Sequence, residues 1–115
     1  MKRAAFLLFL LLGVASAYAA PYSASGAVYT LRSRDSSFGA DADWFSIVGA
    51  TSLGTCPAAA QADGGYVVFM LRDDTKGQRM FSLVLAAKSA GTSITVKLDD
   101  TVKDTAGHCY ALVVF

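Results

Sequence analysis

The side chains of this chain that could do chemistry are nine aspartates, a single histidine, two cysteines, one tryptophan and two arginines spaced two residues apart. Catalysis is poorly served by them. His108 is the sole histidine, and no G-x-S-x-G turn presents a serine to it. A Cys109 nucleophile beside His108 would need a free thiol, and adjacent residues of a strand face opposite ways. Asp41, Asp43, Asp73, Asp74, Asp99, Asp100 and Asp104 could in principle supply the carboxylate pair of glycoside cleavage. All of them fall in expected turns, where acids are ordinarily solvated. DADW and DDTVKD carry oxygen ligands without the spacing of a calcium loop. No glycine loop cradles a phosphate. The chain therefore reads as a non-enzyme with no cofactor and no metal.

Binding is better served. Arg32 and Arg34 alternate onto one face of an expected strand, either as a solvated face or as an anion or sugar contact. Trp44 opens the next strand, as a core or rim residue or as a stacking surface for a sugar ring. Tyr29, Arg32, Arg34 and Trp44 are the candidate ligand-binding residues. Cys56 and Cys109 are expected to form one structural disulfide, since no C-x-x-C marks a redox pair and the chain carries an export leader. A free thiol or a thiol–metal pair is the alternative reading.

That leader is residues 1–19. Lys2 and Arg3 precede an apolar run from Ala4 to Ala15, and the small-residue exit allows cleavage after Ala19 or after Ala17. The run is shorter than the ~20 residues that span a bilayer, which argues against an uncleaved anchor helix. The expected location is secreted or periplasmic, and the composition of the leader looks bacterial. Removing the two leader cations takes the formal charge from +1 to −1. A near-neutral chain has no electrostatic footprint for nucleic acid or an anionic membrane surface. Residues 20–115 are expected to form a single domain.

The elements that must position these residues follow in order. Ala20 to Ser25 is small and polar and reads as a flexible lead-in. Gly26 to Asp35 and Trp44 to Val48 alternate as strands, with a Ser/Gly/Asp turn between them. A long connection from Ala50 to Gly65 carries Cys56. Tyr66 to Leu71 is a continuous apolar run, the pattern of a strand covered on both faces. Thr75 and Gln78 stand at capping-box spacing before a helix whose stripe is Met80, Phe81, Val84, Leu85 and Ala87. Gly91 is placed as its C-terminal cap. Ile94, Val96 and Leu98 then alternate with polar residues, and Cys109 to Phe115 closes the chain as a strand.

The order β-β-β-α-β-β, mainly β with one helix, is that of a small five-stranded OB-like barrel. Three segments carry a further likeness: Phe81 through Gly91, then Ser93-Ile94-Thr95-Val96, then Gly107-His108-Cys109-Tyr110. In this pattern the chain, from Trp44 onward, resembles small secreted bacterial OB-fold proteins of the subtilase cytotoxin B-subunit type. The resemblance implies a non-enzymatic, glycan-binding subunit that assembles as a homo-oligomeric ring with its helices at the centre. The small residues Ala86, Ala87 and Ala90 would suit such close packing, or packing on the domain's own barrel. Partners other than a glycan would be another envelope or secreted protein, with the chain as an accessory factor or inhibitor.

Overall fold

The computed structural model describes residues 21–36 and 41–115. The leader expected over residues 1–19 lies outside the described residues, as do positions 37–40 of the first turn. Eight elements follow one another: β1 (Tyr22–Asp35), β2 (Ala42–Ile47), a short 3-10 turn (Gln61–Asp63), β3 (Phe69–Leu71), α1 (Thr75–Ala90), β4 (Ser93–Leu98), β5 (Cys109–Tyr110) and β6 (Val113–Val114).

The strands form one curled sheet in the order β5-β3-β2-β1-β4-β6. β1 starts the curl by changing partner along its length. Tyr22 to Ala27 pair antiparallel with β4, and Val28 to Asp35 pair antiparallel with β2. Gly26 stands at the changeover, where a Cβ would lie 2.8 Å from Ile47 Cγ2 and 3.0 Å from the Val48 carbonyl oxygen. Only a residue without a side chain lets the end of β2 pass so close. The chain's last segment then joins the two edges. β5 pairs in parallel with β3, the Ala111 N–H donates to Met70 O, the Leu112 N–H donates to Lys97 O, and β6 pairs antiparallel with β4. The expected fifth strand is thus split in two where it crosses from one edge to the other. The fold is the expected one: mainly β, one helix, a small OB-like barrel.

Two apolar clusters follow from strand alternation. Phe45, Ile47, Val67, Phe69 and Leu71 point into the barrel with Ile94, Val96 and Leu98 from β4, and Met80, Val84 and Ala87 of α1 cover them. Phe45 and Phe69 stack with ring centroids 5.1 Å apart. On the opposite face of β2 and β3, Trp44, Val68 and Met70 pack with Ala59 from the β2–β3 connection. The apolar run Tyr66–Leu71 is therefore covered on both faces over Val67–Leu71, as its sequence requires. Its regular ladder shrinks to three residues because the Val68 N–H is taken by Pro57 O, inside that connection.

The connection between β2 and β3 behaves as a strap. It lies across the Trp44 face, is held to itself by the Ala58–Val67 bridge, and is tied to β5 by a disulfide between Cys56 and Cys109. No free cysteine remains. Asp100 Oδ2 accepts from the N–H and hydroxyl of Thr55, and Lys103 Nζ donates to the Thr55 carbonyl and hydroxyl, which fixes the strap beside the disulfide.

Three expectations are corrected. The flexible lead-in does not extend to Ser25, because β1 begins at Tyr22: Tyr22, Ala24 and Gly26 are half-buried and their neighbours exposed, in register with β4. Thr75 is not the helix cap. Asp74 is, with extended backbone and its carboxylate accepting from the Gly77 N–H at 2.7 Å. A carboxylate there also faces the positive end of the helix dipole. Leu85 is not part of the buried stripe, being 48% exposed, and Phe81 is only half-buried. The stripe is Gly77, Met80, Val84 and Ala87, and Gly91 caps it in the left-handed conformation as expected. Asp74→Ala is expected to lower stability by about 1 kcal/mol, while Thr75→Ala leaves it nearly unchanged. Urea titration of the two variants checks this, and the reverse ranking would restore Thr75 as the cap.

No helix among the described residues is long and apolar enough to cross a membrane.

Candidate functional site

The site is built where β1 ends, β2 begins, β3 runs into α1 and the β4–β5 loop returns. β1 does not finish as a regular strand. Its register with β2 shifts between Arg32 and Asp35, and Arg34 sits there with φ of 54°, a left-handed conformation that a side-chain-bearing residue adopts at a cost of about 1 kcal/mol or more. The Arg34 N–H donates to Asp43 Oδ1 at 2.9 Å and holds this bulge against β2. The guanidinium extends to Asp73, with Nη1 at 3.5 Å from Oδ2. Asp73 is itself placed by the turn that caps α1.

The β4–β5 loop supplies the other wall. Asp99 opens it in a tight turn, its Oδ1 accepting from the N–H and hydroxyl of Thr101; these bonds hold its carboxyl below the usual carboxylate range. Asp104 closes the loop, with Oδ1 accepting from the N–H groups of Ala106 (3.0 Å) and His108 (2.8 Å). The largely buried His108 ring lies beside it, Nδ1 at 4.0 Å from the same oxygen. On β5, Tyr110 points away from Cys109, and the Arg72 guanidinium lies 4.1 Å over its ring.

Together these segments enclose a cleft of about 190 Å³ lined by Arg34, Asp41, Asp43, Asp73, Asp104 and Tyr110, with Met70, Leu71 and the loop residues Ala42, Thr105 and Ala106 completing it. Chemically it offers carboxylate acceptors, one guanidinium donor and an aromatic wall. No group of three His, Cys, Asp or Glu side chains among the described residues is close enough to hold a metal ion.

The sequence-derived candidates are dispersed by the fold. Arg34 enters the cleft. Trp44 is 1% exposed, its indole N–H donating to Asp35 Oδ2 at 2.9 Å, and both of its faces are enclosed by the strap cluster. It has no surface to offer a sugar ring. Tyr29, on β1, is 43% exposed but packs on the tip of the strap, edge-to-face on Tyr66 at 5.1 Å and against the backbone of Gly64. Arg32 meets Asp63 of the same strap at 3.5 Å, both side chains being well exposed. Such a pair contributes little to stability. The two arginines thus reach different acids on different elements, because the bulge breaks the alternation between them.

Tyr110 was not singled out from the sequence. Its signal was alternation: if Cys109 faces inward to the disulfide, the next residue faces the other side. Asp41, Asp43, Asp73 and Asp104 are weighed in the sequence as a carboxylate pair or calcium ligands and read as solvated loop acids, and they do lie in or beside loops. Their convergence on one recess is a property of topology.

Comparison with known proteins adds no relative: no protein-family model, no curated protein and no solved structure matches the chain.

Proposed function

We propose that the protein is an exported, non-enzymatic binding module that takes a glycan in the cleft between the facing ends of β1 and β2 and the β4–β5 loop. The observation that carries this reading is position. In OB-type barrels the β2–β3 side and the loops after β1 and β4 form the surface that binds oligonucleotides and oligosaccharides. Here the strap lies over the middle of that side, and the cleft lies at its end, lined by the end of β1, the start of β2 and the β4–β5 loop. Its carboxylates accept hydrogen bonds from sugar hydroxyls, Arg34 donates to ring or hydroxyl oxygens, and Tyr110 supplies an aromatic wall. Four carboxylates against one guanidinium repel a phosphate backbone, which favours saccharide over nucleic acid. The apolar leader after Lys2 and Arg3 supports export, and the disulfide suits an oxidising compartment.

Arg34→Gly separates binding from folding. Glycine adopts the positive φ of this position freely, so the variant is expected to melt within a few degrees of the parent. Its affinity for a glycan found by array screening is expected to fall about tenfold, the equivalent of ~1.4 kcal/mol. Tyr110→Leu is expected to weaken binding similarly. An array with no hit, or a hit whose affinity neither substitution changes, rejects the reading.

A second reading, a protein-interaction or self-assembling subunit, is supported by the solvent side of α1. Leu83 and Leu85 are 42% and 48% exposed, and Ala86 and Ala90 are exposed as well, while Ala87 alone of the three alanines packs on the barrel. Light scattering across a concentration series distinguishes it: a monomer at all concentrations counts against self-assembly.

A further inference from the structure

The strap between β2 and β3 covers a wide apolar face with very little of its own. Beneath it lie Trp44, Val68 and Met70, none more than 3% exposed. Over residues 51–66, Cys56 and Ala59 are the only described side chains that are buried. Ser46 shares the Trp44 face of β2 by alternation, and it is 0% exposed. Its hydroxyl has no hydrogen-bond partner among the described residues, so closing the strap over it leaves a desolvated group unpaired. The side-chain ties of Thr55 to Asp100 and Lys103, and of Asp63 to Arg32, are solvent-accessible. The backbone ties to the run into β3 are the Val68 N–H donating to Pro57 O and the Ala59 N–H donating to Tyr66 O. A segment with few buried contacts and accessible hydrogen bonds opens at a lower free energy than the body it covers. The disulfide is its one covalent tie.

That tie is open to attack from one side. Cys109 is 0% exposed on β5 and Cys56 is 8% exposed on the strap, so the sulfur a reductant meets is Cys56 Sγ. A thiolate of a dithiol attacks it, the bond to Cys109 Sγ breaks, and Cys109 leaves as a thiolate that takes a proton. The donor's second thiol then displaces Cys56 from the mixed disulfide, which leaves the donor oxidised and both cysteines as thiols. Gly64 and Gly65, at φ of 89° and 71°, supply a hinge at the far end of the strap. The surface so uncovered adjoins the cleft: Ala42, Met70 and Tyr110 belong both to the Trp44 cluster and to the cleft lining.

We propose that the Cys56–Cys109 bond is a redox latch and the strap its lid, whose release by a dithiol joins the Trp44 face to the cleft. The device stands whether or not the cleft takes a glycan. Trp44 is the chain's single tryptophan, so its fluorescence reads the lid directly. In the oxidised protein acrylamide is expected to quench it weakly. With dithiothreitol, well below the melting temperature, quenching is expected to rise severalfold and the emission to move to the red, while the amides of β1 and β4 stay protected. Asp100→Ala removes two bonds to Thr55 and leaves the disulfide, so Trp44 is expected to stay shielded until the reductant is added. A bond that resists dithiothreitol in the folded protein, or a tryptophan still shielded once both thiols are free, overturns the latch. Exposure of Trp44 in oxidised Asp100→Ala overturns it as well. So does loss of protection in β1 and β4 together with the strap, since the strap is then no separate lid.

Discussion

Replacing Cys56 and Cys109 together by alanine is expected to lower the midpoint of thermal unfolding by roughly 15–30 °C. The two cysteines are 53 residues apart in sequence, and closing a loop of that length in the unfolded chain corresponds to about 4 kcal/mol. A domain of this size has a total stability of the order of 5–14 kcal/mol, so the bridge is a large share of it. Each kcal/mol moves the midpoint of such a domain by about 4–8 °C. The structure also says where the loss is felt first. Besides its apolar and backbone contacts at Ala59, Ala58–Val67 and Pro57–Val68, the strap's polar side-chain ties to the body are Thr55 with Asp100 and Lys103, and Arg32 with Asp63, all solvent-accessible and worth little each. Amide exchange in the strap is therefore expected to rise more than exchange in β1, β2 and β4. Calorimetry of the double variant checks the magnitude and hydrogen exchange its location. A shift below about 5 °C would mean that the barrel and strap hold each other without the covalent tie.

The strap also marks the line between what the sequence made legible and what it did not. Element order was readable because each signal was local: the alternation of Ile94, Val96 and Leu98, the glycine stop at Gly91, the uninterrupted apolar run before Arg72. The early start of β1 was not readable, since after Tyr22 the run Ser23 to Gly26 alternates between small residues whose hydrophobic contrast is slight. Trp44 has the same sequence neighbourhood whether it lines a groove or fills a core. Its burial is decided by the path of the strap, which depends on Cys109 finding Cys56, a contact no window around Trp44 contains. The cleft is more remote still. It is assembled from Arg34, from Asp41 and Asp43, from the β3–α1 turn and from the β4–β5 loop, and no two of the last three segments adjoin in sequence. Residue types could be noticed one by one, but their convergence needed the strand order.

Gly77→Ala is expected to destabilise the protein by about 2–3 kcal/mol, against the rule that alanine favours a helix interior over glycine by about 1 kcal/mol. The reason lies in the turn that Asp74 caps. A Cβ on Gly77 would overlap the carbonyl oxygen of Arg72 and lie 2.7 Å from its carbonyl carbon, and these are backbone atoms that no rotamer change can move aside. Relief requires the Arg72–Asp74 turn to shift, and overpacking of this kind typically costs 1–3 kcal/mol. The shift also breaks the bond from the Gly77 N–H to the Asp74 carboxylate, lifts the Arg72 guanidinium from Tyr110 and displaces Asp73 from Arg34. Stability and the cleft are coupled at this one residue, so the variant is expected to lose ligand affinity even well below its melting temperature. Gly91→Ala provides the contrast. It has φ of 68° with nothing within 4 Å of an added Cβ, so it is expected to cost about 1 kcal/mol through backbone strain alone and to leave the cleft untouched. Denaturant titration and ligand binding of the two variants side by side separate the causes, and a Gly77→Ala protein more stable than its parent would refute the geometry of the capped turn.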